Sequence, residues 1–209
     1  MTVDILIGKG YIWLMAKTTD SKEKTLAAAA KLFCRHGYHG TALQDILAAS
    51  GAPRGSLYFH FPGGKEQIAE GAVALGDKAV RAFIVQVAQA SRSAESFVSN
   101  LAKGMAANLE ASDFREGCPL ATTALEIATD SEAVGRATRD AFTAWEREIT
   151  QVLIRFGINA KQAASAATAI LSQLEGALLL ARTYRNLEPM RRAEDAMRLL
   201  VRSDRGHSR

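Results

Sequence analysis

Thr41-Ala-Leu-Gln-Asp-Ile-Leu-Ala-Ala-Ser50 runs straight into Gly51-Ala-Pro-Arg-Gly-Ser-Leu-Tyr-Phe-His-Phe61, and the reading of this stretch decides the fold. Thr41 with Gln44 three residues on has the spacing of a capping box, so a helix is predicted to begin there. Leu43, Ile46 and Leu47 recur at helical spacing and give it one buried face. Ser50-Gly51 ends it, and Pro53 opens a third helix at a position where a missing N–H costs nothing. Leu57 and Phe61 face the core from that helix, and Pro62-Gly63-Gly64 breaks it. Short helix, glycine-containing turn, short helix is the layout of a helix-turn-helix over residues 42–61.

A wheel at about 100° per residue sharpens the reading. With Leu57 inward, Gly55 and Phe59 point away from the core, and Ser56 and Tyr58 flank them. Two aromatics and a glycine are a poor outward face for a solvated helix and a sensible one for a helix lying in a groove. Gly55 lets the backbone approach, Phe59 can touch a thymine methyl, and Ser56 can donate to or accept from a base edge. Arg54 stands near the helix N-terminus, where recognition helices meet bases and phosphates.

The surroundings agree. From residue 17 to 64 the basic residues are Lys17, Lys22, Lys24, Lys31, Arg35 and Arg54, against Asp20, Glu23 and Asp45. His36, His39 and His60 add partial charge near a polyanion. Upstream, Leu26, Ala30 and Phe33 form the apolar face of a first helix beginning near Ser21. Gly37 is its cap, with Tyr38 packing beside it. Downstream the pattern gives longer helices near 65–90, 94–111, 119–129, 132–156, 160–186 and 190–202. Ser93, Ser131 and Asn159 are caps for three of them, and Gly157 stops one. The stretch from Ala163 to Leu180 is apolar almost all round and needs burial on two sides, most economically by a partner subunit.

No stretch is read as approaching the ~18 apolar residues of a membrane span. Ile5-Leu6-Ile7 and Tyr11-Ile12-Trp13-Leu14 are interrupted by Gly8, Lys9 and Gly10, which argues against a signal peptide. Residues 1–14 are either an upstream extension preceding a start at Met15 or a genuine short arm. Cys34 and Cys118 have neither metal spacing nor a disulfide framework, which favours a reducing cytoplasm.

The run from Thr41 to Leu47, the run from Gly51 to Glu66, and the preceding Ala28-Ala-Ala-Lys-Leu-Phe-Cys-Arg-His-Gly-Tyr38 resemble the TetR family of regulators. Phe61-Pro-Gly-Gly-Lys65, Gly117-Cys-Pro-Leu120 and Leu174-Glu-Gly-Ala-Leu-Leu-Leu-Ala-Arg182 look like its LmrA/YxaF-like branch. The resemblance implies an all-α fold. A three-helix helix-turn-helix domain that binds DNA is followed by a helical domain for ligand binding and dimerisation. The expected divisions are an extension at 1–18, the DNA-binding domain at 19–64, the second domain at 65–203 and a tail at 204–209. Tyr58 and His60 match positions that hold phosphates, Lys65 matches a lysine that clamps the backbone, and Thr41 matches a cap near a phosphate. Arg54, Gly55, Ser56 and Phe59 occupy the base-reading stretch, with Phe59 departing from the polar or larger aromatic residue common there.

The implied partners are a palindromic double-stranded DNA operator, a second copy of the chain, and a small hydrophobic or aromatic effector that releases a repressor from DNA; no cofactor or metal is implied. Phe97, Leu101, Met105, Phe114, Cys118, Leu120, Phe142 and Trp145 are pocket candidates, although plain core is the better reading of each, and Glu126 is a candidate polar contact. Cys118, before Pro119 at a helix start, reads as a redox-sensitive thiol or as a capping or core residue. Catalysis is disfavoured: three histidines lie in the reading region, His207 lies in the tail, and no carboxylate-histidine set pairs across helices. An activator of the same fold, and a DNA-binding protein without a ligand, are the alternatives.

Overall fold

The computed structural model describes residues 21–202. The expectations placed on residues 1–18 and 204–209 lie outside them. The described chain is helical: α1 Ser21–His36, α2 Leu43–Ser50, α3 Arg54–His60, α4 Gly64–Ala90, α5 Ala94–Ala111, α6 Ala121–Ile127, α7 Glu132–Arg155, α8 Ala160–Tyr184 and α9 Glu188–Leu200.

Two compact units emerge from the packing. Among the described residues, 21–80 with 115–143 make one, and 81–114 with 144–202 make the other. In the first, α1 packs on α2, α3 and α6. Ala29, Ala30 and Phe33 of α1, Ile46 of α2, Leu57 of α3, and Ile68, Ala69 and Val73 of α4 are its buried apolar residues. In the second, α5, α8 and α9 pack on one another. α5 buries Phe97, Leu101, Met105 and Leu109 at a spacing of four, which keeps them on one face. Each such side chain contributes about 1.5–3 kcal/mol by leaving water.

The helix signals hold with small shifts, and each shift has a cause. Ser93 accepts from Ser96 N at 3.1 Å, Asn159 from Gln162 N at 3.0 Å, and Ser131 from Val134 N at 3.2 Å, as their capping roles require. Expected at 190–202, α9 begins at Glu188 instead, because Pro189 fits the first turn and does not end the preceding loop. Arg185 closes α8 in the left-handed region (φ 52°), with its N–H on the Ala181 carbonyl, so that helix stops short of 186. α6 spans only Ala121–Ile127, since the Ser131 N–H turns back to the Ile127 carbonyl and starts the next cap.

Two readings are corrected. The cap of α2 is one residue later than the Thr41–Gln44 box: the N-cap is Ala42, whose N–H donates to Asp45 Oδ2 at 2.9 Å. Thr41 is buried and turned backwards, its hydroxyl donating to the Gly37 carbonyl at 2.8 Å. The second correction concerns α8, which by length and composition alone is apolar enough to cross a membrane. Its buried row, Ala163, Ala167, Ile170, Leu174, Leu178 and Ala181, belongs to a helix packed on α5 and α9.

The shifted cap has a measurable consequence. Asp45→Ala should cost about 0.5–2 kcal/mol in chemical denaturation, the range of a lost terminal cap. Gln44→Ala, exposed and outside the cap, should stay within about 0.5 kcal/mol. Equal losses at both positions would restore the earlier register.

Candidate nucleic-acid interface

The unit of residues 21–80 and 115–143 presents α3 with one side inward and the other open. Leu57 is 1% exposed and Phe61, just past the helix, is buried. Phe59 is 81% exposed and Tyr58 54%. A Cβ built on Gly55 would meet nothing within 4 Å, so the backbone there is open to close approach. Arg54 is exposed at the N-terminal end of the helix. The wheel's assignment of faces is therefore what the structure contains.

The turn between α2 and α3 rests on Gly51, in the left-handed region at φ 64°, with its N–H returning to the Leu47 carbonyl. An L side chain is rarely found there, so glycine is the economical residue. Pro53 then precedes α3 as its N-cap, one residue earlier than a first-turn position.

The flanking groups are placed as follows. Ser56 is half-buried, and its Oγ lies 2.6 Å from Ser21 Oγ on α1, a hydrogen bond the sequence reading did not anticipate. His60 is half-buried, with its ring edge-on to Phe59 at 5.1 Å between centroids. Lys65, in the first turn of α4, sets its ammonium 4.2 Å from the centre of the Tyr38 ring. Burial holds the Lys65 ammonium below the ordinary lysine value, and the Glu126 carboxylate opposes that shift. Burial, then the negative charge of Glu66, raises the Tyr38 phenol. Tyr38 was read as a packing residue, and its ring does lie 5.6 Å from Phe33. Its second role, under Lys65, had no signal in the local pattern.

Glu126, the candidate polar contact, lies on α6 beside the turn between α1 and α2. Its Oε2 accepts the His39 N–H of that turn at 2.7 Å. The pocket candidates divide between the two compact units. Phe97, Leu101, Met105 and Trp145 are buried and Phe114 half-buried in the α5–α8–α9 unit; Cys118 and Leu120 are buried and Phe142 half-buried in the other. Cys118 lies three residues before α6 and is not its cap. A groove of about 760 Å³ lies elsewhere in the α5–α8–α9 unit, between α8 and α9, and is lined by Gly176, Leu180, Tyr184, Pro189 and Arg192 among others. Among the described residues no three His, Cys, Asp or Glu side chains cluster as a metal site.

A helix-turn-helix with an open recognition face defines a DNA-binding regulator, and comparison with known proteins gives its kind. Residues 26–72 match the family model "Bacterial regulatory proteins, tetR family", and residues 94–196 match "Transcriptional regulator LmrA/YxaF-like, C-terminal domain". The chain is 35% identical over 171 residues to the HTH-type transcriptional regulator LmrA of Bacillus subtilis, covering 82% of this chain and 91% of that one. It is 33% identical over 188 residues to the uncharacterized HTH-type transcriptional regulator YxaF of the same organism, covering 90% and 98%. A TetR transcriptional regulator structure from Legionella pneumophila superposes with a TM-score of 0.77 at 22% identity, over 90% of this chain and 100% of that one. The chain belongs to the TetR family of transcriptional regulators, with an LmrA/YxaF-like C-terminal domain. Members of this family bind DNA and typically act as dimers, and they are regulators, not enzymes.

The two faces of α3 should separate in a stability measurement. Leu57→Ala removes a buried anchor and should cost about 2–5 kcal/mol. Phe59→Ala, on the open face, should stay within about 0.5 kcal/mol while changing DNA binding. A Phe59→Ala loss as large as that of Leu57→Ala would mean that Phe59 is packed in solution.

Proposed function

We propose that this protein is a cytoplasmic repressor that binds a palindromic operator as a homodimer and leaves it when a small apolar or aromatic effector is bound. The observation that carries the DNA half is the open face of α3, where Tyr58 and Phe59 are exposed and Gly55 leaves the backbone clear. Tyr58, His60 and Lys65 hold phosphates, and Arg54, Gly55, Ser56 and Phe59 read bases. Thr41 acts from behind, tying the α1–α2 turn through the Gly37 carbonyl.

Dimerisation rests on α8 and α9. Leu179 (63% exposed), Leu180 and Tyr184 on α8, with Leu199 and Leu200 on α9, form apolar surface that a second copy would cover. A two-fold pair of this kind presents two α3 helices to successive half-sites about 34–36 Å apart, or a multiple. Light scattering should give twice the chain mass, and Leu179→Arg should shift it toward the monomer.

Selection of bound duplexes from a random pool tests the whole reading and should return one palindromic motif. On that duplex, Lys65→Ala, Tyr58→Phe and His60→Ala should weaken binding without changing the motif, since phosphates carry no base information. Lys65→Ala should also lower the salt slope by about one unit per subunit. Changes at Arg54, Ser56 or Phe59 should alter base preference by about 1–3 kcal/mol per lost contact. A pool returning no motif would sink the proposal.

The effector half rests on the family and on the excess of apolar side chains in the C-terminal domain, among them Phe97, Leu101, Met105, Phe114, Cys118, Phe142 and Trp145. An effector that binds the DNA-free state more tightly by about 1–3 kcal/mol gives roughly 5–150-fold release. A panel of flat hydrophobic compounds should contain one that frees the duplex, and Phe142→Ala should blunt that release while sparing DNA affinity.

A further inference from the structure

Glu126 is an acidic side chain beside a face that DNA should approach, which calls for an explanation. Its charge does not help a polyanion approach, so the reason for the side chain is sought in what its oxygen accepts. It comes from α6, 87 residues along the chain from the turn it touches. Its Oε2 accepts the His39 N–H at 2.7 Å. Gly37 is in the left-handed region at φ 78°, and a Cβ built there would collide with the Glu126 carboxylate. The carboxylate thus fills the space that a side chain at residue 37 would take. Around the same turn, the Gly37 carbonyl accepts the Thr41 hydroxyl, Tyr38 lies under Lys65, and Lys65 feels the charge of Glu126. One carboxylate therefore meets the backbone of the turn at Gly37 and His39, and its charge is felt at Lys65.

We infer that Glu126 is a positioning residue for DNA binding: as acceptor for the His39 N–H it fixes the 37–41 turn, and with it Tyr38 and Lys65, in the geometry that meets the DNA backbone. The inference rests on the reading of Lys65 as a phosphate contact, and it adds a residue that never touches DNA. It requires the acceptor oxygen and not the charge. Glutamine keeps the acceptor and removes the charge; alanine removes both.

The test uses the full chain and a duplex selected by the wild-type protein from a random pool, with a shuffled duplex beside it. Glu126→Ala should weaken binding to both duplexes by tenfold or more and leave the preferred motif unchanged, because positioning acts through phosphate contacts. Glu126→Gln should bind both within threefold of wild type. A folded Glu126→Ala protein that binds like wild type overturns the inference, as does a Glu126→Gln protein that loses tenfold. Should Glu126→Ala fail to fold, Glu126→Gln and the unmodified chain still decide. In both, the His39 amide should exchange with solvent more slowly than an unprotected amide, and exchange at the unprotected rate overturns the inference. That exchange measurement needs no DNA. A chain that selects no duplex therefore refutes the DNA-binding reading, while the hydrogen bond that defines Glu126's role is tested separately.

Discussion

Everything on the DNA side depends on the burial of one leucine. α3 has seven residues, too few to hold a helix in water by its own hydrogen bonds. It exists because Leu57 is removed from water in a helix that packs on α1, with Phe61 closing the same core just past its end. That burial also sets the rotation of the helix. Once Leu57 points inward, the 3.6-residue repeat sends Gly55, Tyr58 and Phe59 outward, whatever their own preferences. The open aromatic face therefore follows from an inward anchor and is not an independent feature. α1 packs on both short helices, and its small buried Ala29 and Ala30 let them come close.

The same unit is held a second time, by chain far away in sequence. Arg35 meets Glu116 at 2.5 Å, Cys34 Sγ donates to the Gly117 carbonyl at 3.2 Å, and Ser131 hydrogen-bonds Glu66. Exposed ion pairs contribute little, ~0–1 kcal/mol. The Glu116 side chain, however, is only 10% exposed, so removing Arg35 would take a cation away from a largely buried carboxylate. Three tethers on α1 and α4 from residues 116–131 make this segment part of the reading unit by contact, although it stands far from the helix-turn-helix in sequence. Any change that moves 116–131 acts on α1 and on the first turn of α4 directly.

What the sequence made legible, and what it hid, follows from range. The faces of α3 were readable because proline, glycine and a single inward leucine fix both register and rotation locally. The cap of α2 was misread by one residue because two patterns overlap, Thr41 with Gln44 and Ala42 with Asp45. What decides between them is the Gly37 carbonyl, which takes the Thr41 hydroxyl inward. Glu126 reads from the sequence as a candidate polar contact for a ligand. Its partner is a backbone N–H, which leaves no trace in side-chain pattern, and it lies across the unit from a different part of the chain. Ser21 was read only as a helix start, and its bond to Ser56 was hidden for the same reason.

α8 shows how composition alone can mislead about surroundings. Its apolar content passes a membrane test, yet its two sides have different chemistry. The buried side is a row of alanines and larger aliphatics packed on α5 and α9. The exposed side begins with Lys161, Gln162, Ser165 and Thr168, continues through Ser172 and Gln173, and turns apolar only at Leu179, Leu180 and Tyr184. A lipid-facing side must stay apolar for about 30 Å, the thickness of the hydrocarbon core. This one is polar over its first half, so its outward face does not suit lipid. A short apolar end beside Pro189 and Arg192 of α9 suits a limited contact with polar rims, which is the pattern of a protein interface. The requirement for burial on two sides, read from the whole helix, therefore applies mainly to its last turns, and there a second copy of the same surface would meet it.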